Sequence, residues 1–206
     1  DNKFNQEAMN ETFFLSNIVP QDLDNNANFW YRLESYCRTL TKRYSDVYVV
    51  SGPLFLPSNS IDGNKLVKYE VIGNSDVAVP THLFKVILAE NKHRQPVLSA
   101  FIVPNQPISI DRQLPEFEVT METLSKNTGI LFFSETLTSN ARNLCHVDGC
   151  KLLSKEFMEN ISLGRKIRNC RSMEELENLW KKATEKGITH DNFTTKLYSE
   201  KKASLK

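Results

Sequence analysis

Four segments between residues 47 and 103 constrain the fold of this chain more than any other feature. Residues 47–52, 66–72, 78–88 and 97–103 are rich in Val, Ile, Tyr and Phe, and each is bounded by Gly, Pro, Asn or Asp. β-Branched and aromatic side chains fit a pleated, half-buried surface, and turn formers at both ends stop the run. The pattern predicts a sheet in the middle of the chain. Upstream of it, Phe29, Leu33, Cys37, Leu40 and Tyr44 recur every three or four residues, the stripe of a helix over 29–44. Asn25, Asn26 or Asn28 would cap that helix. A short helix over 6–12 and a polar loop over 15–28 come before it. Downstream, 117–126 reads as a helix stopped at Asn127-Thr128-Gly129, and 130–133 as one more apolar strand. A strand-rich centre with helical flanks is the α+β class.

The sheet pattern ends near residue 140. Ser172-Met-Glu-Glu175 is a capping box, after which Met173, Leu176, Trp180 and Ala183 share one helical face until Gly187. A last helix starts near Asp191 and carries Phe193 and Leu197. The expected organisation is therefore a core over 1–140 and a small helical wing over 141–206. Charge divides in the same way. Residues 1–150 carry 13 Lys and Arg against 17 Asp and Glu, a net of −4, whereas 151–206 carry 13 against 8, a net of +5. A basic tail on a mildly acidic body suits a polyanionic partner.

Several chemistries are excluded or demoted. No apolar run approaches the roughly 20 residues of a membrane span. The chain has no glycine-rich phosphate loop, no paired CxxC knuckle and no serine on a nucleophile elbow. Four cysteines, at 37, 145, 150 and 170, are too few and too uneven for a secreted disulfide framework, so all four are expected as thiols in a reducing or mildly buffered compartment. Cys145 and Cys150 flank His146 without a second ligand pair, and are expected as core thiols rather than zinc ligands. His82, inside a strand, is expected to be a hydrogen-bonded structural residue; His93 and His190 sit in polar surface contexts. The chain opens at Asp1 with no basic and apolar leader, so any targeting signal is expected outside these residues.

The unusual segment is Phe14-Leu-Ser-Asn17-Ile-Val-Pro-Gln21, followed by Asp24-Asn-Asn26-Ala-Asn-Phe-Trp30-Tyr-Arg32-Leu-Glu34 and then Arg38. Carboxamides do not titrate and are poor nucleophiles, so their clustering points to hydrogen bonding and oxygen ligation. Magnesium suits such a site, because this small hard ion keeps most of its water and takes one or two protein oxygens. Glu34 and Arg38, four apart on the helix, share a side. They make either a surface ion pair or a carboxylate that orders water beside a phosphate-gripping arginine.

These motifs closely resemble the DNA/RNA non-specific endonucleases of the ββα-metal (His-Me finger) class. The likeness continues through Val49-Val-Ser-Gly-Pro53, Val79-Pro-Thr-His-Leu-Phe-Lys85 and Ala100-Phe-Ile-Val-Pro-Asn105, over about the first two thirds of the chain. The basic helical tail, including Cys145-x4-Cys150-Lys-Leu-Leu153, is similar to the mitochondrial members that combine exo- and endonucleolytic cleavage. The resemblance implies a ββα-metal nuclease core with a central, mostly antiparallel sheet flanked by helices, plus a helical C-terminal wing. It implies magnesium, or manganese in its place, held directly by the side-chain oxygen of Asn26. Glu34 then resembles the carboxylate that hydrogen-bonds the ion's water, Arg38 the arginine on the phosphate, and Asn17 a positioning asparagine. It also implies DNA and RNA as partners, a homodimer, a mitochondrial location at the inner membrane or intermembrane space, and 5′-exonuclease with endonuclease activity in DNA maintenance. The alternatives are a purely endonucleolytic, sugar-non-specific enzyme and a catalytically inactive nucleic-acid-binding module.

In the family a histidine in an Asp/Ser-Arg-Gly-His motif takes the proton from the attacking water. The four histidines here, at 82, 93, 146 and 190, lack that context. The motif and the N-terminal part of the core are therefore expected before Asp1, and residues 1–206 alone are expected to be nearly inactive. Two further positions are candidate nucleic-acid contacts. Lys3 would hold a terminal 5′ phosphate as a point charge, and Phe157, an aromatic among lysines, would stack on a base and wedge the strand end.

Overall fold

The computed structural model describes residues 5–59 and 63–205. Helix α1 spans Gln6–Glu11, and a tight turn at Leu15–Asn17 leads to α2 (Leu23–Asn25), a π turn over Asn26–Trp30, and α3 (Tyr31–Leu40). Strand β1 (Asp46–Leu54) is followed by the two-residue strands β2 (Ser58–Asn59), β3 (Lys65–Leu66), β4 (Val71–Ile72) and β5 (Val77–Ala78). Two long strands, β6 (His82–Glu90) and β7 (Pro96–Pro104), precede β8 (Glu118–Val119), α4 (Met121–Thr128), α5 (Glu135–Asn140), β9 (Arg142–Asn143) and α6 (Leu144–Asp148). Three helices close the chain: α7 (Lys155–Asn169), α8 (Met173–Glu185) and α9 (Asn192–Ser204).

The main sheet runs β1-β6-β7-β8 with antiparallel pairing, and β9 adds to β7 in parallel. Both long strands are buried on both faces, because the side chains of a strand alternate. On one side Leu83, Ile87, Phe101 and Val103 meet Phe29, Leu33 and Leu40 of the helical run; on the other, Phe84, Val86, Leu88, Leu98 and Ala100 meet Leu124 of α4. Each such side chain contributes about 2 kcal/mol on burial, so the helix carrying Asn26, Glu34 and Arg38 is fixed by its apolar stripe. Gly52 of β1 is opposite Phe84, whose ring lies 2.6 Å from where a Cβ would stand, so a side chain here would push the ring or the strand aside.

The α+β class and the antiparallel sheet are as expected, and several boundaries differ. The helical run starts at Leu23 rather than 29. Its cap is Asp22, whose Oδ1 accepts from the Asn25 N–H at 2.8 Å. Residues 66–72 are not one strand. They divide between two small exposed hairpins, β2-β3 and β4-β5. Residues 78–88 break at Val79-Pro80-Thr81, since Pro80 has no N–H for a ladder. Residues 130–133 form no strand; Phe132 instead packs edge-on against Phe84 at 5.4 Å. Cys145 and Cys150, expected as thiols, form a disulfide. Gly149 and Cys150 both have positive φ, 84° and 47°, which turns the chain back so that the two Cα atoms stand 4.7 Å apart. Cys37 and Cys170 are free.

The chain divides into two compact units after Leu152. Leu144, Cys145, Cys150 and Leu152 belong to the core of the first unit, which is why it extends past residue 140. In the second unit α7, α8 and α9 enclose Leu163, Ile167, Leu176 and Ala183. Ser172 caps α8 as the sequence predicts, accepting from the Glu175 N–H. His190 is not a plain surface residue: its ring stacks on Trp180 at 3.9 Å and a ring nitrogen lies 3.0 Å from the Thr184 hydroxyl. No helix among the described residues is long and apolar enough to cross a membrane.

Candidate functional site

A network of carboxamides sets the segment before α3. Asn25 is fully buried; its Nδ2 donates to the carbonyls of Pro104 and Gln106, each at 2.9 Å, and its Oδ1 accepts from Gln21 at 3.1 Å. Asn105, at the end of β7, accepts from the Asp22 N–H at 2.8 Å and donates to the carbonyls of Pro20 and Pro80. The loop over 20–26 is thereby tied to the ends of the two central strands. The asparagine next in sequence, Asn26, is exposed, and its side chain hydrogen-bonds to nothing among the described residues. A π turn begins at Asn26. Such turns widen a helix locally and recur at functional sites.

Asn26 faces an open cleft of about 580 Å³. Asn17, Trp30 and Glu34 line it from the helical side, and Ser51, Gly52 and Leu83 from the sheet. Asn26, Trp30 and Glu34 follow at intervals of four, which aligns them on one helical face. Asn17 donates from Nδ2 to the Thr12 carbonyl at 3.3 Å. Three of the predicted residues, Asn17, Asn26 and Glu34, are thus brought to one cavity. Arg38, one turn beyond Glu34, is exposed and does not line it. Its guanidinium donates to the Ser35 hydroxyl at 3.2 Å and lies 5.8 Å from the Tyr31 ring centroid. Glu34 and Arg38 form no ion pair among the described residues, so neither charge is neutralised by the other. Phe157 is in the second unit, half-exposed in the first turn of α7. Lys3 lies outside the described residues.

Behind the cleft stands Lys85 of β6, 5% exposed, donating to Ser51 Oγ at 2.8 Å and resting over the Trp30 ring at 4.5 Å. Burial pushes its pKa down, against the pull of Cys37 and Glu34. Cys37 is raised to about 11, chiefly by burial. His82 begins β6 with Nδ1 3.0 Å from the Thr81 hydroxyl, and burial lowers its pKa. This agrees with a structural histidine. Sequence reasoning missed Lys85, Ser51 and the two latching asparagines. The signal for Lys85 was present: a lone ammonium among seven consecutive strand residues that are otherwise apolar, 83–89.

Among the described residues, no group of three or more His, Cys, Asp or Glu stands close enough to hold a metal ion. The donors that face the cleft are amide and carboxylate oxygens, which fit a hard, largely hydrated divalent cation and not a soft one.

Residues 1–139 match the family model of the DNA/RNA non-specific endonucleases. The chain is 49% identical over 205 residues to Nuclease EXOG, mitochondrial, of Xenopus laevis, which covers 98% of this chain and 57% of that protein. It is 48% identical over 211 residues to Nuclease EXOG, mitochondrial, of Homo sapiens, covering 100% of this chain and 57% of that protein. The chain therefore spans little more than half the length of these relatives. A chain in the crystal structure of the EndoG/EndoGI complex superposes with a TM-score of 0.64 at 42% identity, over 68% of this chain and 57% of that one. The sheet and flanking helices accordingly share the fold of EndoG, a ββα-metal nuclease. By the match over residues 1–139, the chain belongs to the DNA/RNA non-specific endonuclease family.

Proposed function

We propose that the intact protein hydrolyses phosphodiester bonds of DNA and RNA with the help of magnesium, cutting both inward from a 5′ end and internally, and that it works in mitochondria as a homodimer. One observation carries this reading: the unengaged carboxamide of Asn26 and the carboxylate of Glu34 share one open cleft. Family membership and the mitochondrial names of the relatives support it.

Hydrolysis requires water in line with the leaving oxygen, stabilisation of charge on the phosphate, and a proton acceptor. Asn26 would hold the magnesium ion through Oδ1. The ion, when bound, supplies positive charge at a phosphate oxygen and at the leaving group. Glu34 orders water in the cleft through its carboxylate oxygens, and Arg38 reaches the backbone phosphate from the next turn of the helix. Asn17 keeps the loop at the rim of the helical side in place. The proton acceptor in this reading is a histidine of the Arg-Gly-His type contributed from outside residues 1–206. Contacts to phosphate rather than to base edges make cleavage sequence-neutral and its affinity steeply salt-dependent. Phe157 and Lys3 are assigned to the strand end, the first as a stacking wedge and the second as a 5′-phosphate contact.

The test uses the intact protein and a duplex labelled at its 5′ end. Magnesium-dependent release of short 5′ fragments that is lost in Asn26→Ala supports the reading. Equal cleavage by the wild type and the variant rejects the site.

A further inference from the structure

Lys85 places a charge within the apolar face of the central sheet. It pairs with Ser51 in the β1-β6 register and takes the helix-facing side of β6 between Leu83 and Ile87, two residues of the apolar core. Among the described residues its ammonium makes one hydrogen bond, to Ser51 Oγ at 2.8 Å, one contact with the Trp30 ring at 4.5 Å, and no ion pair. An ammonium has three donors. Burying it without a partnered carboxylate costs free energy that an apolar side chain of the same length would not. Burial lowers the Lys85 pKa, and buried charges whose ionisation is shifted in this way cluster at working sites. Both groups that Lys85 holds are cleft walls, Ser51 on the sheet side and Trp30 on the helical side, while Lys85 itself does not line the cavity.

We propose that Lys85 is a positioning residue for phosphodiester hydrolysis. Its ammonium fixes Ser51 and Trp30 as the two facing walls and keeps a positive charge behind Glu34, where a negative phosphate must approach a negative carboxylate. The inference rests on the nuclease reading of the cleft. A purely structural lysine would differ in activity alone: removing a buried, unpaired charge leaves stability equal or higher in either case, but leaves kcat unchanged only if the lysine positions nothing.

The test is Lys85→Met and Lys85→Arg in the intact nuclease. Methionine keeps the length and loses the charge; arginine keeps the charge and also stacks on an indole. Lys85→Met is expected to melt no lower than wild type, to lose about tenfold in kcat, and to keep KM within about twofold. Lys85→Arg is expected to recover most of that kcat. Wild-type kcat in Lys85→Met overturns the proposal, as does a folded Lys85→Arg no better than Lys85→Met. If Lys85→Met does not fold, Ser51→Ala decides: a several-fold loss of kcat supports the proposal and an unchanged kcat overturns it. Failure of the nuclease reading is distinct, because the wild-type protein would then show no magnesium-dependent cleavage, and the proposal would fall with it.

Discussion

Replacing Asn25 with alanine removes a side chain that touches no ligand, yet it should loosen the candidate site from behind. Asn25 Nδ2 donates to two carbonyls, those of Pro104 and Gln106, both at 2.9 Å. A hydrogen bond of this kind contributes about 1 kcal/mol net, and a carbonyl left unpaired away from water costs a further 1–3 kcal/mol, approximately. Gln106 is exposed, so water replaces its lost donor; Pro104 is half-buried, so its carbonyl is not fully compensated. The sum is about 3 kcal/mol. For a chain of 206 residues a loss of 1 kcal/mol lowers Tm by about 2–4 °C, giving a fall of about 6–12 °C. Asn25→Asp should be worse, because it sets a carboxylate against two carbonyl oxygens. Thermal melting by circular dichroism reads the stability, and manganese titration reads whether Asn26 has moved. A Tm change under about 2 °C in Asn25→Ala, with cation binding intact, refutes the claim that this side chain pins the loop.

Asn26→Ala should leave Tm unchanged, since its side chain is exposed and bonded to nothing among the described residues, while magnesium-dependent cleavage by the intact protein falls by about a hundredfold or more. Converting Cys145 and Cys150 together to serine opens a short loop, one end of which, Cys150 Sγ, touches the Tyr36 hydroxyl of α3 at 3.6 Å. Loop-closure entropy puts the loss at about 2 kcal/mol, read as a lower urea midpoint. Cys37, raised by burial to about 11 from 9.0, stabilises the fold as a neutral thiol. That contribution is complete below about pH 9 and is lost as the pH climbs through about 11; alkylation of Cys37 at pH 8 should accordingly run far slower than that of an exposed cysteine. Residues 1–206 alone should cleave nucleic acid at a rate at least about a hundredfold below the intact protein, because general-base catalysis is worth about 10² to 10⁴; equal rates would remove the external histidine from the account.

Local periodicity made the helix legible. Phe29, Leu33 and Leu40 sit on one side because they follow the helical repeat, and no distant contact was needed to see it. The alignment of Asn26 with Trp30 and Glu34 was less legible, because the stripe begins at Phe29 while the helical run begins at Leu23 and takes a π turn at Asn26. The roles of Asn25 and Asn26 were not separable in the same way. They are neighbours of one residue type, and only the arrival of Pro104 and Gln106, about 80 positions later, buries one and leaves the other for the cleft. Residues 130–133 misled for a related reason: an apolar tetrapeptide satisfies a strand pattern, but its ladder requires a free neighbour, and Phe132 found the Phe84 ring instead. The disulfide was hidden because it depends on two successive left-handed residues, Gly149 and Cys150, and the second of these is not a glycine. Lys85 was passed over because strand alternation reports which face a residue takes, not that a charge will stay buried there.

Manganese binding to the intact protein, followed by electron paramagnetic resonance, tests the central claim most directly. One site per chain is predicted in the wild type, weakened in Glu34→Gln and gone in Asn26→Ala while the melting temperature holds. Undiminished binding in Asn26→Ala would contradict it.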